Sequence, residues 1–444
     1  MKTEKKDYMT VIPFMVSAVF LTIMFSLSCG TRQERTGAIE ESRGMYKSQA
    51  RLEGAAGMYD YEAAEDRKYR SPSVVQDESS VVHNTEEYDL INENEFKAVT
   101  ENPLSTLSID VDTASYANVR RYLNSSQLPP KDSVRIEEMI NYFAYDYPQP
   151  DGEHPFSITT EVSTSPWNGE NRLIHIGIQG RSLDYNNLKP CNLVFLIDSS
   201  GSMSDENKLP LLKKSLKLLL NELGPNDRIA IVVYAGSAGL VLKSTPASKK
   251  DVILAAFDTI SSGGSTAGGE GIKLAYRVAK ENLIKEGNNR VILCTDGDFN
   301  VGASSTSDMV RMIEEKRKDD IYLTICGFGM GNYKDGRMEQ ISNAGNGNYF
   351  YIDSIKEAEK VFVKQMRANM FTIAKDVKIQ IEFNPLKVKA YRLIGYENRV
   401  LAKEDFDNDG KDAGELGAGH TVTALYEIIP AGSKQDVNTS GKLK

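Results

Sequence analysis

The strongest constraint on the fold lies between Leu193 and Ile373, where short apolar segments alternate with amphipathic ones. Segments such as Ile229–Val233 have no polar face, which indicates strands buried on both sides in a mostly parallel sheet. We predict five strands: Leu193–Ile197, Arg228–Tyr234, Arg290–Thr295, Tyr322–Gly327 and Tyr349–Ile352. We predict helices in the leucine-rich segment from Leu209 and at Asp251–Ile260, Glu270–Lys285, Ser307–Arg317 and Ile355–Ile373. This repeat predicts a doubly wound α/β domain over residues 191–373, with ligands at the carboxyl ends of the strands.

Alternating apolar and polar residues flank this domain on both sides, as in strands with one solvated face. Candidate strands precede it at Phe156–Ser163 and Arg172–Gln179, and follow it at Val377–Phe383, Lys389–Leu393 and Thr421–Ile429. We predict that an α+β region (96–190) and a β-rich region (374–444) pair with each other. The α/β domain would then be inserted into a sandwich-like domain.

The amino terminus has the pattern of an export signal. Three lysines precede an apolar run from Val11 to Leu27, and Cys29 follows. The segment resembles a bacterial lipoprotein signal, which predicts lipid attachment at Cys29; an uncleaved transmembrane anchor is the alternative. Residues 30–95 contain few large aliphatic side chains, so we predict a disordered tether there. We therefore expect a protein anchored in the bacterial cell envelope.

Charge and histidine content restrict the classes of function. The net charge of -9 argues against a nucleic-acid binder, since such proteins need basic surfaces to neutralise phosphates. Only four histidines occur, and none lies in the loops described next. The sequence therefore gives little support to an enzyme.

Oxygen-bearing side chains follow several of the predicted strands. Asp198, Ser200 and Ser202 leave the first strand, Thr266 lies in a glycine-rich turn, and Asp296 follows a later strand. We expect these loops to meet at one edge of the sheet. A set of oxygen ligands without His or Cys selects a hard cation, so we predict Mg²⁺, with Mn²⁺ or Ca²⁺ as alternatives.

This arrangement resembles the metal-ion-dependent adhesion site of von Willebrand factor type A domains. The wider chain is similar to the Gram-negative lipoprotein family called YfbK-like, in four segments: Ser108–Ser115, Arg135–Ile140, Ala390–Tyr396 and Gly417–Ala424. Members of that family usually extend further, so the carboxyl-terminal region is expected to be truncated.

The resemblance implies that the bound cation coordinates an Asp or Glu carboxylate on a partner protein. An envelope assembly scaffold with a purely structural metal is the alternative, and a metal-dependent hydrolase is a third hypothesis. Two other acidic segments are interpreted structurally. Asp110–Thr113 is expected to cap a helix, and Asp405–Gly410 to form an acidic turn, because no glutamate occupies the twelfth position that a calcium loop requires.

Overall fold

The computed structural model describes residues 86–437, except 185–187, 265–267, 298, 300–305, 332 and 409. The strands are β1 (Lys97–Ala98), β2 (Leu104–Ser108), β3 (Phe156–Thr164), β4 (Arg172–Gly180), β5 (Cys191–Asp198), β6 (Arg228–Tyr234), β7 (Ala238–Pro246), β8 (Asn288–Thr295), β9 (Ile321–Phe328), β10 (Tyr349–Ile352), β11 (Thr372–Glu382), β12 (Val388–Ile394), β13 (Val400–Leu401), β14 (Gly414–Gly417) and β15 (Thr421–Pro430). The α-helices are α1 (Ala114–Asn124), α2 (Ile136–Asn141), α3 (Leu209–Glu222), α4 (Lys250–Thr259), α5 (Gly268–Glu281), α6 (Thr306–Arg317), α7 (Asp335–Ala344), α8 (Ile355–Glu359) and α9 (Met366–Met370). Within the described part of the chain, no helix is both long and apolar enough to cross a membrane.

A six-stranded sheet forms the centre of the α/β domain, in the order β10-β9-β8-β5-β6-β7. Every neighbouring pair from β10 to β6 is parallel, as predicted. The edge strand β7 runs antiparallel to β6 and was not predicted, because its partly exposed residues lack the continuous apolar run of a central strand. The doubly wound, mostly parallel fold is confirmed.

Helices cover both faces of this sheet. On one face, Leu212 and Leu216 of α3 and Phe257 of α4 pack with β5 and β6. On the other, Ile272 of α5 and Ile313 of α6 belong to a second core. Each of these side chains is almost completely buried, which stabilises the fold by about 1.5–3 kcal/mol per large apolar residue.

The strands on either side of the α/β domain pair with each other, as predicted. One sheet has the order β1-β12-β15-β4-β3, and the other has the order β13-β2-β11-β14. Strand β4 pairs with β15 and β2 pairs with β11, both antiparallel. An apolar core that includes Leu107, Ile178, Ile379 and Val422 contains residues of both sheets. The α/β domain is therefore inserted into a sandwich-like domain.

The last predicted helix of the α/β domain, Ile355–Ile373, is wrong at its carboxyl end. The segment contains α8, a π-helical turn and α9, which ends at Met370. Strand β11 begins at Thr372, which pairs with Gly417, and Ile373 packs against the sandwich core. Pairing with a strand distant in sequence therefore overrides the local helical pattern.

Residues 86–95, predicted as the end of the tether, contact the folded domains. The carboxylate of Glu86 pairs with Arg121 at 2.8 Å, and Glu87 exchanges backbone hydrogen bonds with Tyr333 and Asp335. These contacts are polar, so a prediction based on large apolar side chains did not detect them. Residues 30–85, the leader and Cys29 lie outside the described residues.

Candidate metal centre

The site lies at the carboxyl edge of the central sheet. Asp198 is the last residue of β5, and Asp296 directly follows β8. These two strands are parallel neighbours, with Ile197 opposite Cys294 in the register. Parallel pairing therefore brings the loops that carry the two predicted carboxylates to the same edge.

Hydrogen bonds hold the carboxylate of Asp198, which is completely buried. Its Oδ1 accepts a hydrogen bond from the Ser200 amide at 2.9 Å. Its Oδ2 accepts one from the Tyr234 hydroxyl at 3.0 Å and a longer one from the Thr295 hydroxyl at 3.3 Å. Three donors from three separate segments thus fix the orientation of one acidic side chain.

The serine loop joins the glycine-rich turn. The hydroxyls of Ser200 and Ser202 are 3.0 Å apart, so the two predicted serine ligands lie together. The Gly201 amide donates to the Gly264 carbonyl at 3.1 Å, and the Gly263 amide donates to the Ser199 carbonyl at 2.8 Å. These bonds bring the turn to the serine loop.

Thr266, the predicted ligand from the glycine-rich turn, lies outside the described residues. It follows Gly264 by two positions in the sequence. Its place among the ligands stays a prediction, supported by the contacts of the turn that precedes it.

Asp296 is completely buried and has a cationic neighbour. The ammonium of Lys208 lies 3.0 Å from Asp296 Oδ2 and donates to the Ser202 carbonyl at the same distance. Lys208 immediately precedes α3 and is itself buried. A fixed positive charge is therefore part of the site.

The electrostatics of the site suit a cation. Burial raises the pKa of Asp198, hydrogen bonds from Ser200 and Tyr234 lower it, and the neighbouring charge of Asp296 raises it further. No group of three or more His, Cys, Asp or Glu side chains within the described ranges is arranged to hold a metal. Two carboxylates together with serine oxygens are a donor set that fits a hard divalent ion.

The two other acidic segments lie elsewhere. Thr113 precedes α1, but its side chain makes no capping hydrogen bond to the helix. The carboxylate of Asp112 instead accepts a hydrogen bond from the amide of Tyr349, on β10, at 2.8 Å. The predicted helix cap is therefore wrong, because this carboxylate joins α1 to β10. In the second segment, Lys378 donates to the carbonyls of Asp405 and Asn408, which holds it as a turn.

Three residues of the site were not predicted from the sequence. Thr295 directly precedes Asp296, and Tyr234 ends the strand next to β5, so their positions at strand ends were an available signal. Lys208 offered none, because a lysine before an amphipathic helix usually faces solvent.

Three protein families match successive parts of the chain. The family described as "von Willebrand factor" matches residues 82–175, and the von Willebrand factor type A domain family matches residues 192–364. The third family, described as "Uncharacterized protein YfbK, C-terminal", matches residues 368–444.

The chain is also similar to individual proteins. YfbK of Escherichia coli (strain K12) is 46% identical over 361 residues, which are 80% of this chain and 63% of that protein. The chain thus spans less than two thirds of that relative. Protein sll0103 of Synechocystis is 26% identical over 43% of this chain and 44% of its own length. The solved structure of von Willebrand factor type A from Catenulispora acidiphila gives a TM-score of 0.39 at 18% identity, covering 64% of this chain and 67% of that one.

Domains of this type bind a divalent cation at the adhesion site and mediate protein–protein interactions. The loops after β5 and β8 carry the buried side chains of Asp198 and Asp296. The matches cover the regions before, within and after the α/β domain. The chain therefore contains a von Willebrand factor type A domain at residues 192–364, and it is similar to YfbK over most of its length.

Proposed function

We propose that this protein binds a partner protein through a divalent cation, most simply Mg²⁺, that coordinates an Asp or Glu carboxylate of the partner. One observation carries the proposal. Two buried carboxylates from neighbouring loops, Asp198 and Asp296, lie with two serine hydroxyls at the edge of the sheet where doubly wound folds bind ligands.

Each side chain has a distinct role in this proposal. Asp198 and Asp296 balance the charge of the ion, while Ser200, Ser202 and Thr266 add neutral oxygens. Tyr234 positions Asp198 by its hydrogen bond to Oδ2 and does not itself bind the ion. When bound, the cation supplies a coordination position that a partner carboxylate fills.

The proposal includes anchorage in the bacterial envelope through a lipid on Cys29. It rests on the sequence pattern of residues 1–29. Membrane fractionation tests it: the wild-type chain is expected in the membrane fraction, and Cys29→Ser is expected to lose the lipid mass and the membrane association. An unmodified Cys29 in the membrane-bound protein would favour the transmembrane anchor instead.

Two alternatives remain from the sequence. A scaffold with a purely structural metal would bind the cation but not a carboxylate. A hydrolase would need a proton acceptor at the site, and the three described histidines lie in the flanking domain. His154 precedes β3, and His420 contacts Asn369. His175 lies on β4, where its ring forms a hydrogen bond with the Tyr147 hydroxyl. No observation favours either alternative.

The test of cation binding is thermal unfolding of the full-length chain in EDTA and then in millimolar Mg²⁺ or Mn²⁺. An ion at a hundred times its dissociation constant stabilises the native state by about 2.7 kcal/mol. Asp296→Asn is expected to lose this gain. Asp258→Asn, at a largely exposed carboxylate, is the matched control and is expected to keep it.

Competition with a carboxylate separates partner binding from the scaffold alternative. The wild-type chain is loaded with Mn²⁺, and a short peptide containing one Glu is titrated against the same peptide containing Gln. Binding of the Glu peptide only, and only with Mn²⁺ present, supports the proposal. Equal affinity for both peptides would contradict it and leave the metal with a structural role.

A further inference from the structure

Lys208 places a positive charge beside the candidate metal centre. Its ammonium donates to Asp296 Oδ2 and to the Ser202 carbonyl, both at 3.0 Å. A more distant contact at 3.6 Å joins it to Asp205, whose side chain is 67% exposed. The ammonium thus contacts one predicted ligand and the backbone of another.

The side chain of Lys208 cannot easily leave this position. The residue is only 4% exposed, and its methylene groups pass over Gly329, in the loop after β9. A Cβ on Gly329 would lie 2.3 Å from Lys208 Cε and 2.5 Å from Cγ, and Gly329 has a φ of +74° that disfavours other residues. The Tyr351 hydroxyl donates to the Gly329 carbonyl and holds this loop. The charge therefore stays at the site when a cation binds.

The formal charge of the site changes sign when a divalent cation binds. Asp198 and Asp296 contribute two negative charges, and Lys208 contributes one positive charge, so the side chains together carry one negative charge. A divalent cation changes this to one positive charge, which a single carboxylate on a ligand neutralises. Without Lys208, the cation alone would neutralise the site.

We infer that Lys208 is a built-in counter-charge that weakens cation binding by itself and makes the loaded site depend on an anionic ligand. This inference rests on the proposed function, because it concerns the same metal centre. It assigns a selectivity role to a residue that binds neither the cation nor the partner in the proposal above. The fixed charge would disfavour neutral ligands, because only an anion restores neutrality in a buried site.

The experiment measures Mn²⁺ binding by calorimetry on the full-length chain, with and without acetate at constant ionic strength. Lys208→Met removes the charge and keeps a side chain of similar length over Gly329. Lys214→Met, at an exposed position on α3, is the matched control. Circular dichroism verifies that each variant is folded.

Lys208→Met is expected to bind Mn²⁺ about tenfold more tightly than the wild type without acetate, because a like charge in a buried site has been removed. Acetate is expected to raise the Mn²⁺ affinity of the wild type and of Lys214→Met by about fivefold, and that of Lys208→Met much less. A wild type that binds Mn²⁺ poorly beside a variant that binds it well also supports the inference.

Two results overturn the inference while leaving the proposed function intact. One is a folded Lys208→Met that binds Mn²⁺ no more tightly than the wild type. The other is a folded Lys208→Met whose Mn²⁺ affinity acetate raises as much as that of the wild type. A wild type whose Mn²⁺ affinity acetate leaves unchanged would contradict the inference and the proposed carboxylate binding together. If neither the wild type nor Lys208→Met binds Mn²⁺, the proposed function and the inference fail together.

Discussion

Tyr234→Phe removes one hydroxyl from the metal centre and leaves the ring in place. The Tyr234 ring is completely buried and packs edge-on against Phe299, with centroids 5.4 Å apart. Phenylalanine preserves this contact. The substitution therefore removes the 3.0 Å hydrogen bond that the hydroxyl donates to Asp198 Oδ2.

The expected loss follows from the burial of the acceptor. Asp198 is completely buried, so water does not replace the missing donor, and only the longer bond from Thr295 remains on Oδ2. A hydrogen bond to a charged group contributes about 1.5–3 kcal/mol to stability. For a domain of this size, that loss lowers the midpoint of thermal unfolding by about 3–12 °C.

The assay is thermal unfolding of the full-length chain in EDTA at neutral pH, followed by circular dichroism. Tyr276→Phe is the matched control. Tyr276 is equally buried in the same domain, but its hydroxyl has no hydrogen-bond partner among the described residues. Removing that hydroxyl is expected to leave the midpoint unchanged or to raise it, because an unsatisfied buried polar group is removed.

The comparison between the two variants decides the result. A midpoint that falls for Tyr234→Phe and not for Tyr276→Phe supports a specific bond to Asp198. Equal midpoints for both variants would refute the reasoning, since the donor at Asp198 would then contribute nothing.

Three further predictions concern other parts of the chain. Burial lowers the pKa of His420 to about 4, so its neutral form contributes stability that is lost as the pH falls from 6.5 towards 4. Unfolding midpoints measured over this pH range are therefore expected to change less for His420→Gln than for the wild type. Burial raises the pKa of Glu415 to about 8, so the stability that its neutral form contributes is lost as the pH rises from 4.5 through 8. Glu415→Gln is therefore expected to unfold at a higher temperature than the wild type at pH 9 but not at pH 5. A Cβ on Gly347 would lie 1.6 Å from the Leu323 carbonyl oxygen, so Gly347→Ala is expected to lower the unfolding midpoint sharply or to prevent folding. A Cβ on Gly432 would have no atom within 4 Å, so the control Gly432→Ala is expected to leave the midpoint unchanged. A stable Gly347→Ala would contradict this packing.

The sequence alone was enough to predict the central sheet and most of the candidate site. Strands buried on both faces have continuous apolar runs, so the boundaries of β6 and β10 were predicted to the residue. Because parallel strands end at one edge, Asp198, Ser200, Ser202 and Asp296 could be assigned to one place from the sequence. The apolar runs are local in the sequence, and the common edge at which parallel strands end is a general property of such sheets.

The pairing of the flanking strands was also predicted from alternation, but the structure corrected its limits. The end of α9 at Met370 depends on the pairing of Thr372 with Gly417, and the contacts of Glu86 depend on Arg121. Neither partner is near in sequence. Local periodicity therefore continued the helix too far, and local composition placed residues 86–95 in a tether.

Only the tertiary structure identified the hydrogen bonds and charges that complete the site. Lys208 and Asp296 are 88 positions apart, and Tyr234 and Asp198 are 36 apart. A lysine before an amphipathic helix and a tyrosine at a strand end have no periodicity that reveals their partners. The sequence determined where the carboxylates lie because continuous apolar runs mark the buried strands and the residues at which they end. The side chains that orient and neutralise these carboxylates depend instead on packing between segments that are distant in sequence.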